Sequence, residues 1–406
     1  MQKPWLFVVG MGGNGLFDIS KVAHDILKQA DIIVSSARCL AHLPKAHYTK
    51  NRIPWPIPLE SFIPKLNQYR EKKVVILATG DPMHFGIGTT LMRHFPKKDI
   101  LIVPYPSAFS LACARLGWSY ETVKMLSVHG SGSERQPHTI LASLYPNARI
   151  LVLPRNHKTP IEIAHFLNTN GYGSSQMTAF SHMGNPNEQD FTATAHDWNH
   201  TVPDFHILAI KAISDNGTVK TGCTSGISDT LFKHDGMLTK QEIRAITLSN
   251  LKPTPSALLW DIGAGSGAIT IEWLRSADSM QAICIEHCAK RTDYIRQNAL
   301  NFGVPIPTII ENSVPQALEN LPAPDAIFVG GGLSLPTICM SINALKTGGR
   351  LVTNAVTLES EKILLELFKN YGGSLTRIAV SRASPMSSDF HSWHTIAPVT
   401  QWSFEK

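Results

Sequence analysis

Apolar residues in the first half of the chain form short continuous runs, separated by stretches with helical periodicity. The run Trp5–Gly10 predicts a strand, and Ile19–Ala30 predicts the helix after it. The strands Ile32–Ser35 and Lys73–Thr79 follow, with a helix around Phe62–Arg70 between them. Strands that alternate with helices of about 10–15 residues indicate βαβ units and a largely parallel sheet.

The alternation continues to the end of the chain, with one interruption. The other elements predicted in the first half are the helices Ala108–Gly117 and Pro160–Asn170 and the strands Arg149–Pro154, Gln176–Ser181 and Phe205–Ile213. Ser214–Ser225 reads SDNGTVKTGCTS, which is polar and typical of a linker. A second series follows it, with the helices Thr239–Leu251, Ala268–Ser276 and Lys290–Phe302, the strands Leu258–Ile262, Gln281–Glu286, Thr308–Ile310, Ala326–Val329 and Arg350–Ala355, and a hairpin near Leu375–Ala383 and Thr395–Trp402. We therefore predict two different α/β domains, residues 1–214 and 222–406, joined by a linker at about 214–225.

Composition narrows the class of protein. Of the 406 residues, 43% are hydrophobic and 17% charged, which excludes a disordered or coiled-coil chain. The apolar runs are far shorter than the ~20 residues of a membrane span, and Trp5–Val9 leads into a glycine loop rather than a cleavage site. We expect a cytoplasmic enzyme that does not bind membranes. The six cysteines form no Cys-x-x-Cys pair, so we expect free thiols and no metal site.

The net charge of +6 is unevenly distributed along the chain. Residues 1–221 carry +7 and residues 222–406 carry −1. Such an excess suits an anionic partner or a solvated surface. Dense basic runs with interleaved aromatic residues are missing, so the first half favours a small anionic ligand over a nucleic acid.

The strand Leu258–Ile262 leads into the most informative loop of the chain. The loop contains Asp261, Gly263, Ala264, Gly265, Ser266 and Gly267. Its glycines permit a tight turn and let a ligand approach the start of the following helix. Glu286 closes the next strand, where an acid can accept hydrogen bonds from both hydroxyls of a ribose. The alternative is that Glu286 is a surface acid at a strand end.

The type of glycine loop indicates the ligand. A dinucleotide loop reads G-x-G-x-x-G and leaves room for a pyrophosphate, whereas this loop reads D-x-G-x-G-x-G and contains no Lys or Arg. It favours a ligand that has an adenosine ribose but no phosphate, namely S-adenosylmethionine. Asp261 would attract the cationic methionine end of that ligand. Alternatively, it caps a helix or binds the loop.

Residues 226–359 resemble the decarboxylating methyltransferase domain of cobalamin (vitamin B12) biosynthesis. The resemblance rests on GISDTLFKHDGMLTKQEIRAITLSNL, LLWDIGAGSGAITIEW, PAPDAIFVGGGL and GGRLVTNAVTLE. It implies that Thr239 and the glycine loop contact S-adenosylmethionine, with Glu286 on the ribose and Ser313 near the adenine. Asn312-Ser313 departs from the Gly-Asp or Gly-Ala pair of many methyltransferases.

Three segments of the first half place small residues directly after predicted strands. They are VVGMGGNG from Val8, TGDP with FGIG from Thr79, and PYPSA with ARLG from Pro104. In this order they resemble the tetrapyrrole (corrin/porphyrin) methylases, specifically the domain that acts at precorrin carbon 5. The resemblance implies a second S-adenosylmethionine site, lined by Gly80, Asp81, Ile87, Ser107 and Ala108. The first loop departs from the family, since it has Gly-Gly-Asn-Gly where a proline is common.

Together the two resemblances imply a bifunctional enzyme with one S-adenosylmethionine per domain. It would methylate precorrin-6B at carbons 5 and 15 and decarboxylate the ring C acetate, giving precorrin-8. Whether the macrocycle already contains cobalt stays open. We also expect a homo-oligomer, although the sequence does not determine the number of copies.

The chemistry requires alignment and proton transfer rather than a strong protein nucleophile, because S-adenosylmethionine carries its own leaving group. Decarboxylation needs a general acid near the macrocycle. The candidates surround the start of a predicted helix and are His234, Asp235, Lys240, Glu242 and Arg244. Lys240 and Arg244 would share a helix face at i, i+4, which suits a carboxylate. The alternative for each is a solvated helix residue.

The substrate is a polycarboxylate, which basic side chains bind with charge-assisted hydrogen bonds. The candidates in the first half are Arg115, Arg135, Arg155 and Lys158. His129, His182 and His206 lie near predicted strand ends and are candidate proton carriers.

Two other functions stay open at this point. One is an RNA methyltransferase that uses the second glycine loop and binds RNA through the basic first half. The other is a non-catalytic ligand-binding protein in which the altered first loop has disabled one domain.

Overall fold

The computed structural model describes residues 4–41, 43–44, 48, 51–56, 61–129, 136–218, 222, 224–386 and 389–406. The chain divides into two units. The first comprises Met1–Gly130 and Pro146–Thr218, and the second comprises Ser131–Tyr145 and Val219–Lys406.

The first unit begins with a parallel sheet of five strands in the order β3-β2-β4-β1-β5. Its strands are β1 (Leu6–Met11), β2 (Ile32–Ser35), β3 (Arg52–Pro54), β4 (Val74–Thr79) and β5 (Ile100–Val103). The helices in this part are α1 (Lys21–Lys28), α2 (Ala37–Ala41) and α3 (Ile87–His94). The parallel βαβ arrangement predicted for this region is confirmed.

Both faces of this sheet are covered. Leu6 and Val8 of β1 pack in one apolar cluster, and Phe7 and Val9 pack in another on the opposite face. Burial on both faces explains why the strands read as continuous apolar runs. One predicted α-helix differs, since Ile63–Tyr69 is a 3-10 helix with a proline in its first turn.

The second sheet of the first unit is mixed. Its order is β6-β7-β10-β8-β9, and β6 runs parallel to β7 while the other pairs are antiparallel. The strands are β6 (Lys124–Ser127), β7 (Arg149–Leu153), β8 (Gln176–Ser181), β9 (Gln189–Thr194) and β10 (His206–Lys211), and the helices are α4 (Ala108–Leu116) and α5 (Thr159–Thr169). The expectation of parallel pairing is wrong here, because a short turn joins β8 to β9 and a hairpin forces antiparallel neighbours.

The second unit contains a seven-stranded sheet in the order β13-β12-β11-β14-β15-β19-β16. Five strands are parallel, and β19 pairs antiparallel with β15 and β16. Its strands are β11 (Leu258–Ile262), β12 (Gln281–Ile285), β13 (Thr308–Ile310), β14 (Ala326–Val329), β15 (Arg350–Ala355), β16 (Ser374–Ile378) and β19 (Val399–Glu405). The helices are α6 (Gln241–Leu251), α7 (Ala268–Ser276), α8 (Ala289–Phe302), α9 (Leu335–Ala344) and α10 (Leu358–Tyr371). The predicted C-terminal pairing is confirmed, since β16 pairs with β19 from Leu375 opposite Trp402, and β17 (Ser381–Pro385) and β18 (His391–Thr395) continue the hairpin as a separate two-stranded sheet.

A segment from the first half of the sequence packs within the second unit. The 3-10 helix Pro137–Ser143 lies against α8 and the residues that follow it. The buried His138 bonds through Nε2 to the carbonyl oxygen of Val304 at 3.3 Å. A Cβ atom placed on Gly303 would lie 2.5 Å from the backbone nitrogen of Ala142. No feature of the sequence predicts that these residues pack in a different unit from their neighbours along the chain.

The first residues of the predicted linker are bound to the first unit. The carboxylate of Asp215 accepts the backbone N–H groups of Gly173 and Ser174 at 2.9 and 3.0 Å. Thr218 Oγ1 donates to the carbonyl oxygen of Gly171 at 2.7 Å. Part of the remaining linker lies outside the described residues. Within the described part of the chain, no helix is long and apolar enough to cross a membrane.

Candidate active sites

The first unit has a cleft of about 330 Å³ beyond the carboxyl ends of β1 and β4. Gly80, Asp81, Ser107 and Ala108 all line it, as the sequence predicts. Asp81 Oδ1 accepts the backbone N–H of Met83 at 2.8 Å and shapes the loop after β4. Ser107 caps α4, since its Oγ accepts a backbone N–H of the first turn at 3.2 Å.

Ile87 is not among the residues that line the cleft. It is the first residue of α3 and packs partly buried against the apolar cluster beneath that helix. The structure therefore separates it from the other four residues of the predicted site. Its side chain packs the start of α3 against that cluster.

The first glycine loop is ordered without a proline. Gly15 N–H donates to the carbonyl oxygen of Gly12 at 3.1 Å and closes a turn. The backbone and side-chain nitrogens of Asn14 donate to the carboxylate of Asp18 at 3.1 and 3.3 Å. These hydrogen bonds limit the conformations of the loop, as a proline at this position would.

A turn between β8 and β9 lies against this glycine loop. Asn185 Nδ2 donates to the carbonyl oxygen of Gly13 at 3.1 Å. A Cβ atom on Gly13 would lie 2.5 Å from the carbonyl oxygen of Met183, so only glycine fits this approach. Arg115 holds the same turn, since its Nε and Nη2 donate to the carboxylate of Glu188 at 2.6 and 2.9 Å. Arg115, predicted to bind a substrate carboxylate, is therefore engaged within the protein.

An aromatic group that sequence reasoning missed forms one wall of the cleft. The ring of His84 stacks on Phe85 and Phe109, with centroid distances of 5.1 and 4.4 Å. Its Nδ1 lies 3.0 Å from the hydroxyl of Tyr120. Burial lowers the pKa of His84, and the nearby Asp81 carboxylate partly opposes that shift. The only signal in the sequence is the position of His84 within the loop after β4.

The three predicted proton carriers, His129, His182 and His206, all line the cleft. His206 is buried at the start of β10, and its Nε2 has no hydrogen-bond partner among the described residues. Its Nδ1 donates to the carbonyl oxygen of Pro203 at 2.6 Å, and burial lowers its pKa.

The other predicted carboxylate-binding residues are at the rim or beyond it. Arg155 lines the cleft and is exposed. Lys158 is exposed at the start of α5. Arg135 lies outside the described residues.

In the second unit, the predicted glycine loop joins β11 to α7. Gly263 has a φ of +68°, and a Cβ atom placed on it would lie 2.5 Å from the backbone of Gly331, which follows β14. Glycine is required here because the ends of two neighbouring strands meet. The loop therefore presents its backbone at the carboxyl edge of the sheet, where ligands bind in open α/β sheets.

Glu286 follows β12 and is almost fully buried. Its Oε2 accepts the N–H of Gly265 at 2.9 Å, and its Oε1 accepts the N–H of Cys288 at 3.0 Å. Oε1 also lies 3.4 Å from Nδ1 of His287. Each carboxylate oxygen has two lone pairs, so Oε2 retains one for a ribose hydroxyl. The alternative of a surface acid does not fit this burial.

Asp261 is buried beside the loop. Its Oδ2 accepts the backbone N–H and the hydroxyl of Thr270 at 3.2 and 2.6 Å. Its Oδ1 has no hydrogen-bond partner among the described residues, and neither has the hydroxyl of Ser266. Burial raises the pKa of Asp261 to about 6. The carboxylate binds the first turn of α7, and one oxygen stays available.

Three of the candidate acids and bases lie in the loop before α6. A Cβ atom on Gly265 would lie 3.7 Å from the carbonyl oxygen of Met237, so this loop borders the glycine loop. His234 Nδ1 accepts the N–H of Gly236 at 2.9 Å, which leaves the proton of the neutral ring on Nε2. Asp235 forms an ion pair with Arg291 at 2.9 Å. Lys240 is half-buried and precedes the helix in an extended conformation, so it does not share a helical face with the residue four positions later.

Arg244 lies in the interior of the second unit and is fully buried. Its Nε donates to Glu272 at 2.5 Å and its Nη1 donates to Asp229 at 3.0 Å. Further bonds go to the carbonyl oxygens of Thr239 and Ile227. These contacts leave no guanidinium face for a substrate.

The remaining two predicted residues of this unit are closer to solvent. Glu242 binds Arg382 of β17 with distances of 2.5 and 3.1 Å. Ser313 is exposed after β13, and its backbone N–H donates to the side chain of Asn312 at 2.8 Å.

Each half of the chain matches a family of methyltransferases. Residues 6–198 match the tetrapyrrole (corrin/porphyrin) methylases, and residues 230–406 match the precorrin methyltransferase domain. The fold and the two glycine-loop sites thus define a two-domain methyltransferase, and the predicted fold class is confirmed.

One relative covers both halves. The precorrin-6Y C(5,15)-methyltransferase [decarboxylating] of Sinorhizobium sp is 40% identical over 407 residues, which span 100% of this chain and 97% of the relative. The chain belongs to this family, and the predicted family and methyltransferase activity are confirmed. Methyltransferases of the family use S-adenosylmethionine.

Two shorter relatives each match less than half of the chain. A probable cobalt-precorrin-6B C(15)-methyltransferase (decarboxylating) of Pyrobaculum calidifontis is 32% identical, over 39% of this chain and 85% of the relative. A cobalt-precorrin-7 C(5)-methyltransferase of Salmonella typhimurium is 28% identical, over 45% of this chain and 88% of the relative.

Proposed function

We propose that this chain methylates precorrin-6B at carbons 5 and 15 and decarboxylates the ring C acetate, giving precorrin-8 in cobalamin biosynthesis. The observation that carries the proposal is the match over the whole chain to a relative named for both methylations and the decarboxylation. The two structurally different glycine-loop sites agree with two methyl transfers.

Each unit would bind one S-adenosylmethionine. In the second unit, Glu286 retains an acceptor for the ribose, and Asp261 and Ser266 offer unpartnered oxygens, counted among the described residues. In the first unit, the glycine loop is closed by Asn14 in place of proline, which argues against a disabled domain.

The methylation at carbon 5 would belong to the first unit and the methylation at carbon 15, with decarboxylation, to the second. The support is that proteins named for the single activities exist and match less than half of this chain each. The two units would then carry out separate steps on one macrocycle, since these relatives are named for different substrates, cobalt-precorrin-6B and cobalt-precorrin-7.

Lys240 would be the general acid for decarboxylation. Loss of carbon dioxide leaves an electron pair that the conjugated macrocycle accepts when it is protonated. Lys240 is half-buried directly before α6, and its ammonium group carries protons to donate. The hydrogen bond from Gly236 to Nδ1 holds His234 as a neutral ring, which is a poor proton donor. Asp235 and Glu242 are held in ion pairs, and Arg244 is buried.

The substrate would be recognised as a polyanion. Arg155 lines the cleft of the first unit, and the first half carries the positive charge. We also propose that the enzyme does not bind nucleic acid and forms homo-oligomers. Filter binding of RNA and sedimentation equilibrium test these two statements.

Incubation with precorrin-6B and labelled S-adenosylmethionine, followed by product mass, tests the function. We expect a gain of two methyl groups and loss of one carbon dioxide, and two S-adenosylmethionines bound per chain by calorimetry. An unchanged mass contradicts the proposal. The cobalt-containing substrate, run in parallel, shows which macrocycle is preferred.

Gly265→Arg tests the division of labour. Gly265 has a φ of +59° and lies in the second loop, so a long side chain there blocks the cofactor. We expect methylation at carbon 15 and decarboxylation to be lost while methylation at carbon 5 continues on precorrin-7-type substrate. Gly348→Arg is the matched control, because Gly348 also has a positive φ (+77°), has open space around it, and precedes β15 at the opposite edge of the sheet.

A further inference from the structure

Methylation at carbon 5 requires a base, and this inference rests on the proposed function. A ring carbon that exchanges hydrogen for methyl and stays conjugated releases that hydrogen as a proton. The π electrons at this carbon form the bond to the methyl carbon. The methyl–sulfur bond breaks, and its electron pair stays on sulfur. The pair of the carbon–hydrogen bond then restores the double bond as a base takes the proton.

Three ionisable groups that line the cleft in the first unit do not suit this task. Asp204 is 73% exposed and bonds to His157, which lowers the pKa of the Asp204 carboxyl and weakens it as a base. Tyr105 hydrogen bonds with Asp18, and burial raises the pKa of its phenol. His206 lines the cleft, but its Nε2 is buried away from the cleft space and its Nδ1 donates to the carbonyl oxygen of Pro203 at 2.6 Å.

His84 has the position and the restraint that a proton acceptor needs. Its ring is nearly parallel to Phe85 and Phe109, with interplanar angles of 23° and 26°. Phe109 belongs to the first turn of α4, directly after the predicted cofactor residue Ala108. The bond between Nδ1 and Tyr120 sets the rotation of the ring in its plane. The imidazole is thus held at the cleft wall beside the predicted cofactor site.

We propose that His84 accepts the proton from carbon 5 through Nε2 and that Tyr120 positions the ring. With the proton on Nδ1 donated to the Tyr120 oxygen, Nε2 presents a lone pair. Burial keeps the imidazole neutral before the reaction, since it lowers the pKa. After proton transfer, Nδ1–H still donates to Tyr120, and the Asp81 carboxylate favours the cation. Water at the cleft mouth then receives the proton.

The test is His84→Gln in the full chain. We expect the rate of carbon-5 methylation to fall about 100-fold or more, with two S-adenosylmethionines still bound and an unchanged KM. Methylation at carbon 15 and decarboxylation continue as an internal control. A substrate deuterated at carbon 5 should show a larger isotope effect in the variant, because proton removal becomes the slow step. Tyr120→Phe should lower kcat about 10-fold and leave KM unchanged.

The control is His165→Gln, since His165 is exposed on α5 and does not line the cleft. A wild-type rate of carbon-5 methylation in His84→Gln overturns the assignment. So does a loss of cofactor binding by His84→Gln, which would make His84 a binding residue. Absence of carbon-5 methylation in the wild-type enzyme overturns the proposed function instead, and this result precedes any variant.

Discussion

The two carboxylates beside the second glycine loop differ in their hydrogen bonding. Glu286 and Asp261 are both buried beside one glycine loop, yet they are satisfied differently. Glu286 accepts two backbone N–H groups, whereas Asp261 has an oxygen without a partner among the described residues. Burial of an incompletely paired carboxylate disfavours its charged form, so Asp261 makes stability depend on pH.

Asp261→Asn should change this pH dependence. The pKa of Asp261 is raised from 3.8 to about 6. The contribution of this residue to the free energy of unfolding is therefore most favourable below pH ~4, where the carboxyl is neutral, and is lost as the pH rises to ~6. The asparagine variant does not titrate. Its free energy of unfolding relative to wild type should therefore rise by about 3 kcal/mol between pH 4 and 7.

Urea titrations at four pH values measure this difference. Asp293→Asn is the control, because Asp293 is exposed on α8, and it should change stability by less than ~0.5 kcal/mol. A difference between wild type and Asp261→Asn that stays constant with pH contradicts the prediction.

At the scale of elements, ion pairs hold turns and loops against the sheets that carry the sites. Arg115 of α4 fixes the turn after β8 that contacts the first glycine loop. Arg244 of α6 joins the segment before it to α7. These pairs differ in burial, so their loss should have different consequences.

Arg115→Gln should weaken cofactor binding and hardly affect stability. The pair is partly exposed, with 42% and 25% of the side chains accessible, and such pairs stabilise by about 0–1 kcal/mol. Calorimetry in a Gly265→Arg background isolates the first site, where we expect about 5–10-fold weaker binding, the equivalent of ~1–1.4 kcal/mol. Arg296→Gln, which breaks another partly exposed pair, should leave this affinity unchanged.

Arg244→Met should destabilise the second unit by about 3–5 kcal/mol, because it leaves the buried Glu272 without its cation. Denaturant titration measures the loss. Arg244→Lys should recover only part of it, since an ammonium group cannot reproduce the bonds to two acids and two carbonyl groups. Wild-type stability of Arg244→Met would show that the cluster contributes nothing, and wild-type stability of Arg244→Lys would show that the charge alone is sufficient.

At the scale of the whole molecule, the second unit takes in residues 136–145 from the first half of the sequence. Gly303→Ala tests how tightly they pack. Gly303 has a φ of +68° and a Cβ there would approach the backbone of Ala142, so we expect a loss of about 2–4 kcal/mol from strain and overpacking. Gly117→Ala has a similar φ of +64° but nothing within 4 Å, and should cost only ~1–2 kcal/mol. Equal losses in thermal or denaturant unfolding would show that the contact is loose.

Most strands and helices, and the loops that follow them, could be predicted from the sequence. Buried parallel strands such as β4 and β11 appear as continuous apolar runs, and the glycine loop with Glu286 lies at strand ends that are close in sequence. These features are local, because strand periodicity and turn chemistry depend on neighbouring residues.

Which polar side chains can contact a ligand became clear only from the packing of distant segments. Arg115 and Arg244 look equivalent to other basic residues until Glu188 and Glu272, far away in sequence, pair with them. The position of the His84 ring depends on stacking with Phe109 and on the hydrogen bond with Tyr120. The physical reason is that an ion pair or a ring stack forms between residues brought together by packing, and periodicity along the chain does not encode which residues those are.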